Sequence, residues 1–128
     1  MTTPHSIPLI LIVEDAFLVG LQLKADLESV GAEVVGPVPT VAKALDLLER
    51  HPITCAILDF NLGHEDSTPI GRELRDRDIP FLFITGYRAS DVSPDEFPNP
   101  IVLRKPVGPS QIRNGLAKIG AVLPPAAD

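Results

Sequence analysis

Runs of apolar residues recur along the chain and alternate with segments of mixed polarity. Two runs, 7–13 and 53–58, are almost continuously apolar and rich in β-branched residues, and a third, "PFLFIT", covers 80–85. Such runs are typical of strands that are buried on both faces of a parallel sheet. Weaker patterns occupy 33–36 and 101–105. The chain is therefore predicted to contain five strands.

The segments between these runs carry apolar residues at helical spacing. The first helix is predicted to begin after Asp15, acting as its N-cap, and to end at Gly31. Its apolar stripe comprises Val19, Leu23, Leu27 and Val30. The second helix is predicted to begin after Thr40, and its apolar stripe comprises Val41, Ala44, Leu45 and Leu48.

Three further helices complete the alternation. A short one carries Pro69 in its first turn and places Ile70 and Leu74 inward. The segment 86–100 holds three prolines and predicts only a short or irregular fourth helix near 89–93. The last helix lies within 109–123, and its apolar face comprises Ile112, Leu116 and Ile119.

Strict alternation of strands and helices predicts an α/β fold with a doubly wound, five-stranded parallel sheet. The usual strand order of such a sheet is 2-1-3-4-5. Ligands of these folds bind at the carboxyl ends of the strands, where the chain direction reverses between strands 1 and 3.

The length and composition narrow the choice of class. A chain of 128 residues predicts a single domain over 1–128, with its core at about 7–121. The net charge of −6 and the lack of a basic cluster argue against a nucleic-acid or anionic-membrane surface. A single cysteine, Cys55, cannot form an internal disulfide, which favours a cytoplasmic setting, and it reads as a small buried hydrophobe. The first apolar run is too short to span a membrane.

Polar residues stand where the predicted strands end: Glu14 and Asp15, Asp59, Thr85, and Lys105. Three neighbouring carboxylates repel one another unless a cation joins them, and oxygen ligands of this kind suit Mg²⁺. A lysine and a hydroxyl beside a bound metal suit a phosphoryl group. Asp59 can then act as a nucleophile that forms an aspartyl phosphate.

Each of these residues also fits a simpler role when taken singly. Asp15 fits a helix cap, Asp59 a solvated strand end, and Lys105 a side chain that extends to water. Their coincidence at one edge of the sheet favours a joint site. The Lys105–Pro106 bond is a candidate cis peptide that would turn the lysine toward the acids.

Together, these strand-end residues resemble the receiver domain of two-component response regulators, which has the flavodoxin-like fold. The resemblance implies that Asp59 accepts phosphate from a histidine kinase or a histidine phosphotransfer protein. It implies a Mg²⁺ site made of Glu14, Asp15, Asp59 and the backbone carbonyl of Asn61. It further implies that Lys105 pairs with the phosphoryl group, and that Thr85 hydrogen-bonds this group and carries the switch.

The stretches "PFLFITGY", "DFNLG" and "LRKP" resemble the receiver subfamily with a Phe-Ala-Thr-Gly-x-Tyr motif, although Ile84 replaces the alanine and Tyr87 directly follows Gly86. Members are often stand-alone receivers in bacterial stress or sensory signalling. Val102 stands where most receivers carry the aromatic residue that moves with the threonine. Asn61 and Tyr87 are the side chains expected to set the phosphate lifetime.

The predicted function is a stand-alone response regulator receiver that signals by protein contact or serves as a phosphate relay or sink. It is expected to be a monomer or weak dimer with a possible downstream protein target, and no enzyme beyond slow autophosphorylation and autodephosphorylation. A pseudo-receiver binding module is one alternative, which Val102 and the weak fourth helix keep open. An aspartyl-phosphate phosphatase is another, but its general acid would fall at Asn61. The loop "GHEDST" is either solvated or tunes metal access through His64, Glu65 or Asp66.

Overall fold

A computed structural model describes residues 7–86, 92 and 95–121 of the chain. The five strands are β1 (Leu9–Val13), β2 (Glu33–Val38), β3 (Cys55–Asp59), β4 (Phe81–Thr85) and β5 (Val102–Arg104). The helices of the described residues are α1 (Phe17–Ser29), α2 (Val41–Arg50), α3 (Thr68–Asp76) and α4 (Pro109–Lys118).

The strands form one parallel sheet in the order β2-β1-β3-β4-β5, which confirms the predicted fold and topology. Apolar side chains cover both faces of this sheet and divide into two separate core clusters. The central strand β3 is buried along its whole length, Cys55 included, and burial raises the pKa of the Cys55 thiol to about 12. The fourth helix expected near 89–93 lies outside the described residues, apart from Val92, which is buried.

The strand boundaries differ from the predicted ones by a few residues. β1 begins at Leu9, and the side chain of Ile7 is 55% exposed. β2 continues beyond its predicted end as far as Val38, and β3 includes Asp59. Apolar character alone predicted these ends, whereas hydrogen bonding to the neighbouring strands decides them.

Helices α2, α3 and α4 bury the faces that their sequence patterns predicted. The Thr40 hydroxyl oxygen accepts a hydrogen bond from the Lys43 N–H at 3.2 Å, so Thr40 is the N-cap of α2. The buried residues of these helices include Ala44, Leu48, Ile70, Leu74, Ile112 and Leu116. None of the described helices has the length and apolar character needed to cross a membrane.

Helix α1 differs from its predicted start. Its N-cap is Ala16, not Asp15, and the exposed Asp15 side chain makes no capping hydrogen bond. The Ala16 N–H instead donates to Glu14 Oε2 at 3.1 Å. Val19, predicted to face the core, is 38% exposed. The helix packs inward at Gly20, where an added Cβ would lie 2.7 Å from the ring of Pro37, so this close approach requires glycine.

Candidate functional site

The parallel register brings three polar side chains to one edge of an apolar sheet. Glu14 directly follows β1, Asp59 ends β3 and Thr85 ends β4. Glu14, Asp59 and Thr85 are only 2%, 3% and 2% exposed. Carboxylates as deeply buried as those of Glu14 and Asp59 are rare in proteins unless they have partners. Strand backbone thus holds Asp59 and Thr85, and Glu14 lies on the first residue after a strand.

Lys105 reaches this edge from the residue after β5. Its Nζ lies 2.7 Å from Glu14 Oε1 and 3.1 Å from Asp59 Oδ2. The Lys105 backbone N–H donates to the Thr85 carbonyl oxygen at 2.8 Å, which ties the lysine to the end of β4. The Lys105–Pro106 peptide bond is cis, as predicted.

The third acid completes a cluster that suits a cation. Glu14, Asp15 and Asp59 each offer a carboxylate oxygen, and these oxygens lie within 4.8 Å of one another. Three carboxylates against the one ammonium of Lys105 leave an excess of negative charge when all are ionised. Because the donors are all oxygens and part of the cluster is open to solvent, the residues fit Mg²⁺.

A cavity of about 600 Å³ opens onto these side chains and is lined by Asp15, Asp59, Asn61, Gly63, Gly86 and Lys105. Gly63 and Gly86 are lining residues that the pattern of strand-end polar residues did not predict. Among the residues that the structure describes, and apart from its chain neighbours, no heavy atom lies within 4 Å of a Cβ built on Gly86.

The buried carboxylate of Asp59 has an unusual affinity for protons. Burial, followed by the hydrogen bond and negative charge of Glu14, raises the pKa of Asp59 from 3.8 to about 8, against the opposing effect of Lys105. Burial disfavours the charged form of Lys105, but the contacts with Glu14 and Asp59 outweigh it and raise the lysine pKa. Lys105 is therefore held in its charged form beside the carboxylates of Glu14 and Asp59. A bound cation would favour ionisation of Asp59.

The remaining predicted residues lie around this centre. The side-chain oxygen of Asn61 accepts the Gly63 N–H at 2.9 Å, and the residue lines the cavity. Val102 pairs with Phe83 in the sheet and packs against the core cluster on the α2–α3 side. Tyr87 lies outside the described residues.

Comparison with known proteins places this site in a family. Neither the protein-family models nor the curated proteins contain a match. Among solved structures, SdrG from Sphingomonas melonis Fr1 is 41% identical, with 88% of this chain and 96% of that chain covered at a TM-score of 0.77. A response regulator receiver protein from Burkholderia phymatum is 25% identical, with 92% and 99% covered at a TM-score of 0.75. The chain belongs to the response regulator receiver family.

The resemblance of this receiver to SdrG extends to an activated form. The BeF3-activated conformation of SdrG from Pseudomonas melonis Fr1 is also 41% identical, covers 93% of this chain and 100% of that chain, and has a TM-score of 0.76. The receiver assignment confirms the family predicted from the strand-end residues. Membership of the Phe-Ala-Thr-Gly-x-Tyr subfamily stays a prediction.

Proposed function

We propose that this receiver accepts a phosphoryl group on Asp59 from a histidine kinase or phosphotransfer protein in a Mg²⁺-dependent reaction. The observation that carries the proposal is the position of Asp59 on a buried strand end, 3.1 Å from Lys105 and clustered with two further acids. The strand end already fixes the position of this nucleophile, and a bound cation would favour its ionised form.

In the proposed step, an oxygen of the Asp59 carboxylate attacks the phosphorus of the donor. The bond between phosphorus and the donor breaks, and its electron pair leaves with the donor group, which then takes up a proton. Lys105 holds a positive charge beside the phosphoryl oxygens, and the Thr85 hydroxyl is at the end of the neighbouring strand to hydrogen-bond them. Glu14, Asp15, Asp59 and the Asn61 carbonyl would hold Mg²⁺, which would supply further positive charge for the phosphoryl group.

Asn61 favours a phosphoacceptor over a phosphatase. It stands two residues after Asp59, where an aspartyl-phosphate phosphatase would place a general acid. A carboxamide cannot donate a proton as a carboxylic acid does. The side-chain oxygen of Asn61 also accepts a hydrogen bond from the Gly63 N–H. We therefore propose slow loss of the phosphate rather than rapid turnover, and signalling by protein contact or as a phosphate relay or sink.

Incubation with acetyl phosphate tests this function. In the presence of Mg²⁺, the intact mass of the protein is expected to rise by one phosphoryl group, and EDTA is expected to prevent the change because it removes the metal. Rapid release of phosphate over many turnovers would favour the phosphatase. A mass that does not change with Mg²⁺ would favour the pseudo-receiver and refute the proposal.

An exposed apolar surface beside the site suits a donor protein. Phe17 and Leu18, in the first turn of α1, are 69% and 78% exposed. Val19 of the same turn lines a second cavity, of about 380 Å³, that also reaches Gly86 and Lys105. A protein that brings a phosphohistidine to Asp59 would cover this surface, which would bury its apolar area.

Replacement of both exposed residues, Phe17→Ser with Leu18→Ser, is expected to slow transfer from a phosphorylated histidine kinase by roughly tenfold or more, since each buried side chain contributes about 1.5–3 kcal/mol. The measurement is the rate of phosphate transfer from a kinase that phosphorylates the wild-type protein. Acetyl phosphate serves as the control, because a small donor does not contact α1. Equal slowing with both donors would show that the substitutions disturb the site itself.

A further inference from the structure

The segment from Phe60 to Ser67, here called the acceptor loop, forms one wall of the cavity through Asn61 and Gly63. Hydrogen bonds within the loop hold its shape: the Leu62 N–H donates to the Glu65 carbonyl at 2.8 Å, and the Ser67 N–H donates to the Phe60 carbonyl at 2.9 Å. These bonds set the form of the loop but not its position relative to the acids that follow β1.

The Glu65 side chain links the acceptor loop to another element. Its Oε2 accepts a hydrogen bond from the backbone N–H of Val41, the first residue of α2, at 3.1 Å. The first amides of a helix have no partner within the helix, and the Thr40 hydroxyl accepts the N–H of Lys43 rather than that of Val41. A carboxylate at this helix end is also favoured by the helix dipole.

The start of α2 is in turn tied to the loop that carries the other acids. The Glu14 backbone N–H donates to the Val38 carbonyl oxygen at 2.9 Å, at the end of β2. The connection 38–41 is therefore hydrogen-bonded on one side to the loop of Glu14 and on the other to Glu65. This connection therefore links the loop that carries Glu14 and Asp15 to the acceptor loop.

We propose that Glu65 is a positioning residue that sets the distance between the acceptor loop and the acids after β1, and thereby the affinity of the site for Mg²⁺. This inference rests on the proposed function, because it assumes that the acidic cluster binds the ion. Glu65 itself is exposed and does not line the cavity. It acts through the Val41 N–H and the loop backbone rather than by contact with the metal.

Three variants test the role: Glu65→Ala, Glu65→Gln and Glu33→Ala. The alanine removes the acceptor oxygen, the glutamine keeps a neutral one, and Glu33→Ala removes an equal charge from an exposed position at the opposite end of β2. The Mg²⁺ dissociation constant is measured from amide NMR shifts at constant ionic strength. Hydrogen exchange of the Val41 amide reports on the tether directly.

Glu65→Ala is expected to weaken Mg²⁺ binding about fivefold, as loss of one hydrogen bond from an exposed group predicts, and to speed exchange at Val41. Glu65→Gln is expected to stay within about twofold of the wild type, and Glu33→Ala likewise. Equal weakening by both Glu65 variants, or none by alanine, would overturn the inference. If the wild type itself fails to bind Mg²⁺, the proposed function fails instead, and the Val41 exchange still tests the tether.

Discussion

Asp59→Asn is expected to leave the protein unmodified by acetyl phosphate and Mg²⁺ under conditions in which the wild type gains one phosphoryl group. The carboxamide has nearly the shape of the carboxylate but is a very poor nucleophile. Lys105 keeps its contact with Glu14, whose Oε1 lies 2.7 Å from its Nζ, so the site is expected to keep its arrangement. The expected effect is complete loss of modification, read from the intact mass.

Asp66→Asn is the matched control for this substitution. Asp66 is an exposed acid of the acceptor loop, and its Oδ1 accepts the Thr68 N–H at 2.8 Å, a bond that asparagine can also accept. The control removes the same charge close to the site without touching the proposed acceptor, so phosphorylation is expected to persist. Persistent modification of Asp59→Asn would place the acceptor elsewhere in the chain.

Asp59→Asn is also expected to stabilise the metal-free fold near neutral pH. In the folded chain the pKa of Asp59 is raised from 3.8 to about 8, with burial the largest cause and Glu14 the next. Between these two values the unfolded chain has released a proton that the folded chain retains, so the free energy of unfolding falls as pH rises. This loss of stability is absent below the lower pKa and complete above the higher pKa.

Asp59→Asn removes this dependence of stability on pH. Near pH 8 the free energy of unfolding of the variant is expected to exceed that of the wild type by about 2 kcal/mol. This is less than the full difference in pKa implies, because solvent that reaches the site screens the charge. The difference is expected to shrink toward pH 4. Urea unfolding without metal at several pH values measures it. A difference that does not change with pH would contradict the raised pKa.

Added Mg²⁺ gives the internal check on this stability prediction. A ligand that binds only the folded chain stabilises it by about 1.4 kcal/mol at a tenfold excess over its dissociation constant. The wild type is expected to gain more from Mg²⁺ than Asp59→Asn does, because the variant lacks one of the three clustered carboxylates. The two proteins are therefore expected to converge in stability as the metal concentration rises.

Local pattern was sufficient for most of the fold. The apolar runs predicted all five strands, because a strand buried on both faces must be apolar at nearly every position, and their alternation with helices predicted the parallel sheet and its strand order. Helical spacing predicted the buried faces of α2, α3 and α4. The approach of Asp59 and Lys105 also followed from sequence, since the carboxyl ends of all the strands of a parallel sheet lie at one edge.

The partners and the exposure of individual side chains were not predictable in this way. Asp15 has the right residue type and position for an N-cap, but its side chain is exposed and Glu14 Oε2 accepts the Ala16 N–H instead. Val19 fits the apolar stripe of α1 but remains exposed, because the helix approaches the sheet through Gly20 against Pro37. In each case the packing of the helix, rather than its own residue pattern, decided the outcome.

Glu65 shows both what the sequence predicted and what only the folded structure decided. The sequence left open whether the acidic loop "GHEDST" is only solvated or tunes metal access, and Glu65 is exposed in the folded chain. Its bond to the Val41 N–H joins residues that are 24 positions apart. Periodicity records only which face of an element is buried, so it determined the sheet and the residues at its edge. The partner of each side chain depends on how the elements pack, and only the folded chain decided that.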